Sequence, residues 1–360
     1  MQGDKLRFLI TGASGFIGYA LTTALKNRYG IDNIQIIIPG FDVHEKESVR
    51  RQKLIREGYD YIEHDILNEE LEVSGIRPFD VLFHLAAFTA TEKKSKMVHT
   101  NDMGTRRLLD SLGSRLKGKR IIYTGSLASV DRNFPDNKLQ DEEYPCHPRT
   151  PYGKTKLAGE KIIQSYANKF NFEWIIFRLV TVYGSGYRPE GMFSIIKDGL
   201  LSNKLATQIT WPGRVGLVYI EDVINILLMF IDTLRGANTV YHLTSKDNPE
   251  FDQLINIIAD ILSIKRNRIS PPAWFWSMLR FFIWLPGIYA ILPYKLKIIL
   301  WRISLIISDG IVADGGKLDQ ITKYKYKDLK EGLTLTYKIA DLIQKPNCSE
   351  IEDLNIQGKK

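Results

Sequence analysis

"KLRFLITGASGFIGYALTTALKN", residues 5–27, is the stretch on which the fold turns. Its first part, "KLRFLIT", is a short apolar run of strand type that stops at a cluster of glycines. "FIGYALTTALKN" then carries apolar residues at helical spacing. Between them Gly12, Gly15 and Gly18 stand three apart in "ITGASGFIG". In a strand–turn–helix unit one such glycine permits the tight turn. A second lets the backbone approach a pyrophosphate, and a third lets the helix lie close to the sheet. The free N–H groups and positive dipole end of the helix then face the phosphates. By itself the motif is equally an ordinary glycine turn. Its position in the first βα turn of an alternating series is what makes it a dinucleotide-binding candidate.

The series continues outward from that turn. "IQIII" (34–38) is β-branched and bounded by Pro39 and Gly40, so it reads as a strand. Residues 45–57 are charged and helix-like. "YDYIEHD" (59–65) and "FDVLFHLAA" (79–87) read as strands, 96–116 as one long helix, and "RIIYTGS" (120–126) as another strand. Residues 152–170 have helical spacing and "FEWIIFRLV" (172–180) is strand-like. Strands alternating with helices imply βαβ crossovers and a parallel sheet. The strands lack strict in/out alternation, as expected when both faces are covered. The expected fold is α/β: a Rossmann-type doubly wound parallel sheet over 1–180 and a smaller C-terminal substrate-binding lobe over 181–345. A hydrophobic segment (271–307) belongs to the lobe, and 346–360 form a polar tail.

The totals exclude several classes. The chain has 360 residues, 44% of them apolar, enough for a sizeable core. Its net charge is +8 and its pI about 9.2, but the charges are interspersed with no long basic run. A solvated basic surface is expected rather than a nucleic-acid partner. Two cysteines, Cys146 and Cys348, make no disulfide framework and fit a reducing compartment. The first strand-like run starts at Lys5 and leaves no room ahead of it for a signal peptide, so a cytoplasmic location is expected. The six histidines form no HxxH or HExxH cluster, so no catalytic metal is expected.

An acidic residue ending the second strand would hold the adenosine ribose. Here that strand ends in Pro39-Gly40-Phe41 and Asp42 comes late, so the residues leave NAD and NADP open. Asp65-Ile66 falls where an adenine could be gripped; a helix N-cap is the competing reading of Asp65.

"TGASGFIG" (11–18), "DI" (65–66), "FHLAA" (83–87), "NDMGTRRLL" (101–109), "YTGS" (123–126), "YGKTK" (152–156) and "FRLVTVYG" (177–184) together resemble the extended short-chain dehydrogenase/reductase family. That family includes the NAD-dependent epimerases/dehydratases and the 3β-hydroxysteroid-dehydrogenase-like enzymes. The pieces occur in the family's order and spacing. The resemblance implies a cofactor, NAD or NADP with NAD favoured. It would be bound by Gly12, Ser14, Gly15, Phe16, Ile17 and Gly18, by Asp65 and Ile66, and by Leu85, Ala86, Ala87 and Asn101. Tyr152, Lys156 and Leu179 complete the set. For Asn101 a helix N-cap is the competing reading. A secondary alcohol oxidised by this chemistry must lose a proton to a base, and Tyr152 would be that base. A free tyrosine titrates near pH 10, too high for the task. Lys156, one helical turn on, would favour the phenolate. Ser126 would hydrogen-bond the substrate oxygen. Thr124 and Ser129 stand close enough to take that role; Ser126 is preferred because it aligns with the family's serine. A second Tyr–Lys pair at this spacing, Tyr326 and Lys330 in "YKDLK", lacks the context and reads as a surface accident. The resemblance also implies a homodimer through the helices at 96–116 and 152–170.

Two branches of the family compete, and the expectation here is the apolar one. It is an NAD(P)-dependent oxidoreductase interconverting a secondary alcohol and a ketone, 3β-hydroxysteroid-dehydrogenase-like, acting on a lipid-like small molecule. Sugar-nucleotide members tend to carry a proline and an asparagine where "RLVTVYGSG" has Leu179 and Thr181, and an arginine where "VGLVYIEDV" has Val215. Arg214, one residue earlier, could compensate. The tail "PPAWFWSMLRFFIWLPGIYAILPYKLKIILWRISLIISDG" (271–310) is dense in aromatic and aliphatic residues, as in the sterol branch. Its longest uncharged stretch, 281–294, falls short of the roughly 18–20 residues that span a bilayer. Peripheral membrane contact through 271–307 is one expectation for it; packing as core of the lobe or cover of the site is the other. The alternative function is a nucleotide-sugar 4-epimerase/dehydratase, and the second alternative a non-catalytic NAD(P)-binding sensor or scaffold.

Overall fold

The computed structural model describes residues 6–39, 45–65, 71–88, 99–130, 139–148, 150–187, 191–231, 236–285, 292–308 and 312–344. Strands β1 (Phe8–Thr11), β2 (Ile34–Ile38), β3 (Asp60–Glu63), β4 (Val81–His84), β5 (Arg120–Ser126) and β6 (Glu173–Leu179) lie parallel. Helices α1 (Phe16–Tyr29), α2 (Glu45–Arg56), α3 (Thr105–Leu112) and α4 (Pro151–Phe170) make crossovers between them. A short ladder β7 (Thr181–Tyr183) and β8 (Leu217–Tyr219) stands apart. The sheet's seventh strand, β9 (Thr239–Leu243), is added beside β6 by chain that has left the sheet at residue 180 and returned. The order β3-β2-β1-β4-β5-β6-β9 puts the direction change between β1 and β4. In open α/β sheets ligands bind at the carboxyl ends of the strands at that point.

Both sheet faces are covered, which is why the strands read as continuous apolar runs. Phe8 and Ile10 of β1 belong to one buried cluster and Leu9, between them, to the other. Beyond β7 come α5 (Met192–Leu201), α6 (Leu205–Gln208), α7 (Ile220–Met229) and α8 (Phe251–Ile261). These are followed by α9 (Ala273–Trp284), α10 (Tyr294–Ile307), α11 (Gly316–Thr322) and α12 (Leu329–Gln344). The apolar segment is thus a pair of helices, α9 and α10, built around a small cluster of its own: Trp276, Ile283 and Ile307.

One helix over 96–116 is expected from sequence, and the structure divides it. A π-helical turn, His99–Gly104, runs into α3, and a 3-10 turn, Gly113–Leu116, ends it; residues 96–98 lie outside the described residues. Across the π-helical turn the Asn101 carbonyl accepts the Thr105 hydroxyl at 2.9 Å. Such bulges frequently mark functional positions.

Candidate active site

The turn after β1 supplies the floor. Gly12 has φ +74°, where side chains are strained, and a Cβ there would come within 2.6 Å of the Ala86 nitrogen. The turn therefore lies against the loop after β4. Helix α1 begins at Gly15 without a side-chain cap, so its first N–H groups remain for a ligand. Gly15, Phe16 and Ile17 are half-buried at this edge, while Ser14 is fully buried and donates to Glu47 at 3.2 Å. Gly18 packs beneath, against the Gly12 carbonyl. On the opposite wall Leu85, Ala86 and Ala87 are half-buried. A cradle of bare backbone beside an uncapped helix end fits a dinucleotide pyrophosphate. Asp65 follows β3 at the sheet edge, half-buried; Ile66 lies outside the described residues.

A directional hydrogen-bond chain ties this cradle to the catalytic side. The Ala86 N–H donates to Thr11 Oγ1 (3.3 Å), and Thr11 Oγ1 bonds His84 Nδ1 (2.7 Å). His84 Nε2 bonds Thr105 Oγ1 (2.9 Å), whose own proton goes to the Asn101 carbonyl. Since Thr105 is already donating, the Nε2 of His84 carries the proton and its Nδ1 accepts from Thr11. Burial, helped by the charge of Lys156, holds His84 neutral, its pKa pulled down to about 3. Asn101 is no helix cap. Its side chain accepts from Phe88 N (2.8 Å) and donates to Phe88 O (3.0 Å) and to Thr155 Oγ1 (3.0 Å). It stitches the β4 loop to α4.

Helix α4 carries two of the expected catalytic residues, Tyr152 and Lys156. Thr150 caps it, accepting from Gly153 N at 3.0 Å, and Pro151 occupies its first turn. Any side chain at Gly153 would overlap the Ala128 carbonyl, so the helix start presses on the turn 127–129. That contact brings Tyr152, half-buried, to the loop holding Ser126. Ser126, half-buried, accepts from Ala128 N at 3.2 Å, leaving its proton to donate. Thr124 is buried, and Ser129 is fully buried and committed to Glu160 at 3.2 Å. Of the three hydroxyls, Ser126 is the accessible one. Lys156 is buried with its Nζ 4.3 Å from the Tyr123 ring centre. Burial pulls its pKa down to about 7, and the Glu160 carboxylate works the other way. Tyr123 is pushed well above its ordinary range, chiefly by burial, so it titrates nowhere near neutrality. Leu179, which ends β6 in register with Ser126, is buried in the core.

Sequence reasoning missed His84, Tyr123 and the pair Glu160–Arg178. Glu160 repeats the Tyr152–Lys156 spacing once more along α4. It meets Arg178 of β6 through contacts of 2.9 and 3.0 Å, both side chains being buried. The spacing was a readable signal for Glu160; nothing local pointed to its partner. The rival Tyr326 is not on the surface: it is half-buried and packs on the core. It also precedes α12 rather than sharing a helical face with exposed Lys330.

A glycine cradle at the switch point and a Ser–Tyr–Lys set beside it define an extended short-chain dehydrogenase/reductase. More particularly, residues 8–243 match the model of the NAD dependent epimerase/dehydratase family, and the chain belongs to that family. It is an enzyme family, and membership brings NAD as the cofactor. The chain is 28% identical over 291 residues to UDP-glucuronate 4-epimerase 2 of Arabidopsis thaliana, covering 72% of this chain and 65% of that one. It is 30% identical to UDP-glucuronate 4-epimerase 4 of the same plant, covering 75% and 67%. The chain thus spans about two thirds of the length of these relatives. Among solved structures it resembles UDP-glucuronic acid 4-epimerase from Bacillus cereus, with a TM-score of 0.73 and 22% identity, over 94% of this chain and 100% of that one. At that identity the likeness is one of fold.

These relatives overturn the expectation of a 3β-hydroxysteroid-dehydrogenase-like enzyme with a lipid-like substrate. The apolar tail weighed heavily in that expectation. In the structure α9 and α10 surround a small cluster that Trp211 joins to the larger core, its ring 5.4 Å from that of Trp276 and 6.5 Å from that of Phe251.

Proposed function

We propose that the chain is an NAD-dependent nucleotide-sugar 4-epimerase acting on a UDP-activated hexose or hexuronate. The observation that carries this is the Ser126–Tyr152–Lys156 set at the switch point of a chain similar over 72–75% of its length to UDP-glucuronate 4-epimerases. Gly12, Gly15 and the open start of α1, with Leu85, Ala86 and Ala87 opposite, would hold NAD. Bound NAD supplies the hydride acceptor. Tyr152 takes the proton of the sugar hydroxyl and later returns it, Lys156 favours its phenolate, and Ser126 donates to the sugar oxygen as charge develops. Arg214, half-buried next to the buried Val215, is our candidate for the diphosphate. A dehydratase is the second reading within the family. Expelling a hydroxyl needs a further acid, and the turn after Ser126 (Leu127, Ala128, Ser129) offers no carboxyl, which favours the epimerase. A homodimer through the outer faces of α3 and α4 is part of the proposal.

The test is incubation of the purified chain with UDP-glucuronate, UDP-glucose and dTDP-glucose, with products resolved by anion exchange. A 4-epimer accumulating without net NADH supports the reading. A 4-keto-6-deoxy product would move it to the dehydratases. Failure of every nucleotide sugar to react, or to raise the melting temperature, would overturn it. Sedimentation at twice the 41.3 kDa chain mass checks the dimer.

A further inference from the structure

We propose that the α9–α10 hairpin is an interfacial anchor that seats the enzyme on an anionic lipid surface. Helix α9 turns Trp276 and Ile283 inward against the hairpin's own cluster. Its other face is uncovered: Trp274 is 66% exposed, Phe281 64%, Phe282 49%, Met278 43% and Leu285 41%. Trp274, Met278, Phe281 and Leu285 recur at spacings of four, three and four, so they form one stripe. Leu296 and Ile299 extend the apolar surface onto α10 at 39% and 51% exposure. Single exposed apolar residues are ordinary, but a contiguous patch marks an interaction surface.

Charge selects the occupant. The chain has no long basic run, yet residues 261–308 hold seven Lys or Arg and no Asp or Glu, against a net charge of +8 for the whole protein. Asp252 answers two of the seven, Arg266 and Arg268, at 2.6 Å each. Of the rest, Lys265 and Arg302 are exposed, and Arg280 is half-buried with its Nε donating to the Ile307 carbonyl at 2.9 Å. A two-fold contact between copies of this face would set these cations against each other. An anionic headgroup layer meets them with opposite charge while the aromatic stripe enters the acyl boundary. Neither α9 nor α10 can cross: among the described residues no helix is long and apolar enough. The chain lies on the surface.

The experiment is vesicle flotation of the full chain at physiological salt, with phosphatidylcholine vesicles alone or containing 30% phosphatidylglycerol, alongside tryptophan emission. Expected is flotation with the anionic vesicles, at least tenfold weaker with neutral ones or in high salt, with a blue shift. W274S/F281S, both exposed, and K265E/R302E should each reduce flotation at least tenfold while melting temperature and NAD affinity stay unchanged. Absence of flotation with anionic vesicles overturns the proposal. So does a wild-type chain that self-associates through this face, losing self-association in W274S/F281S without having bound vesicles. Epimerase activity in solution is scored separately, so failure of the anchor leaves the function testable.

Discussion

Lys156 sits one turn from Tyr152 in a site dry enough to hold its pKa to about 7, so its charge is conditional. In the proposed mechanism, phenolate formation at Tyr152 depends on that charge. Tyr152→Phe should cut turnover by about a hundredfold or more, the range of general acid–base contributions, with NAD affinity retained by calorimetry. Tyr326→Phe is the control and should leave the rate unchanged. The Glu160 carboxylate raises the Lys156 pKa, so Glu160→Gln should move the descending alkaline limb of the pH–rate profile to lower pH. The same change strands a buried Arg178, and denaturant melts should show a loss of about 3–5 kcal/mol. Arg214→Ala should raise KM for the nucleotide sugar about tenfold and leave kcat nearly unchanged; an unchanged KM removes Arg214 from the diphosphate site. Ser126, Tyr152 and Lys156 could be named as candidates from the sequence because each lies inside a short motif. Arg178 was not, since its meeting with Glu160 depends on β6 lying beside β5 beneath α4.

At the scale of elements, the start of α4 decides whether Tyr152 is aimed. Thr150→Ala removes the cap to Gly153 and should cost about 1 kcal/mol, read from chemical denaturation. It should also lower kcat more than it raises KM, because the helix start and its Tyr152 shift together. The strands of the first half were readable from short apolar runs and what bounds them, and the structure places β1, β2, β3, β4, β5 and β6 within those runs. The wide turn at His99–Gly104 was not readable. Its irregularity serves Asn101, whose partners Phe88 and Thr155 come from two other elements. Strand β9 was missed for a related reason. "TVYHL" is five residues long, and only its ladder with β6 makes it a strand of this sheet. The α9–α10 pair illustrates the converse: the apolar composition was plain, but which side faces inward required the structure.

Across the whole molecule, His84 and His242 tie stability to acid. His84 and His242 are held neutral mainly by burial, with pKa values near 3 and 4 against an ordinary 6.5. Below pH 6.5 the unfolded chain takes up protons that the fold refuses. Stability should therefore be full above pH 6.5 and fall as pH drops toward 3–4, visible as a declining melting temperature. His84→Asn should flatten part of that slope; an unchanged slope would assign it to the carboxylates instead. The substrate branch was the part of the function least legible in sequence, because a pocket is assembled from many distant positions. Leu179, Thr181 and Val215 are three positions only, too few to decide the branch. A clasp of three hydrogen bonds from α2 joins the two halves of the chain at the glycine turn. Arg50 of α2 donates to the Ser14 carbonyl in the glycine turn (3.2 Å) and to the Gly186 carbonyl beyond β7 (2.9 Å), while Lys46 reaches the Tyr187 carbonyl (3.0 Å). Its consequence is kinetic. A clasp across the cradle lengthens the residence of whatever dinucleotide is seated there, so the protein should emerge from purification already loaded, and Arg50→Ala should let the cargo wash out on dialysis.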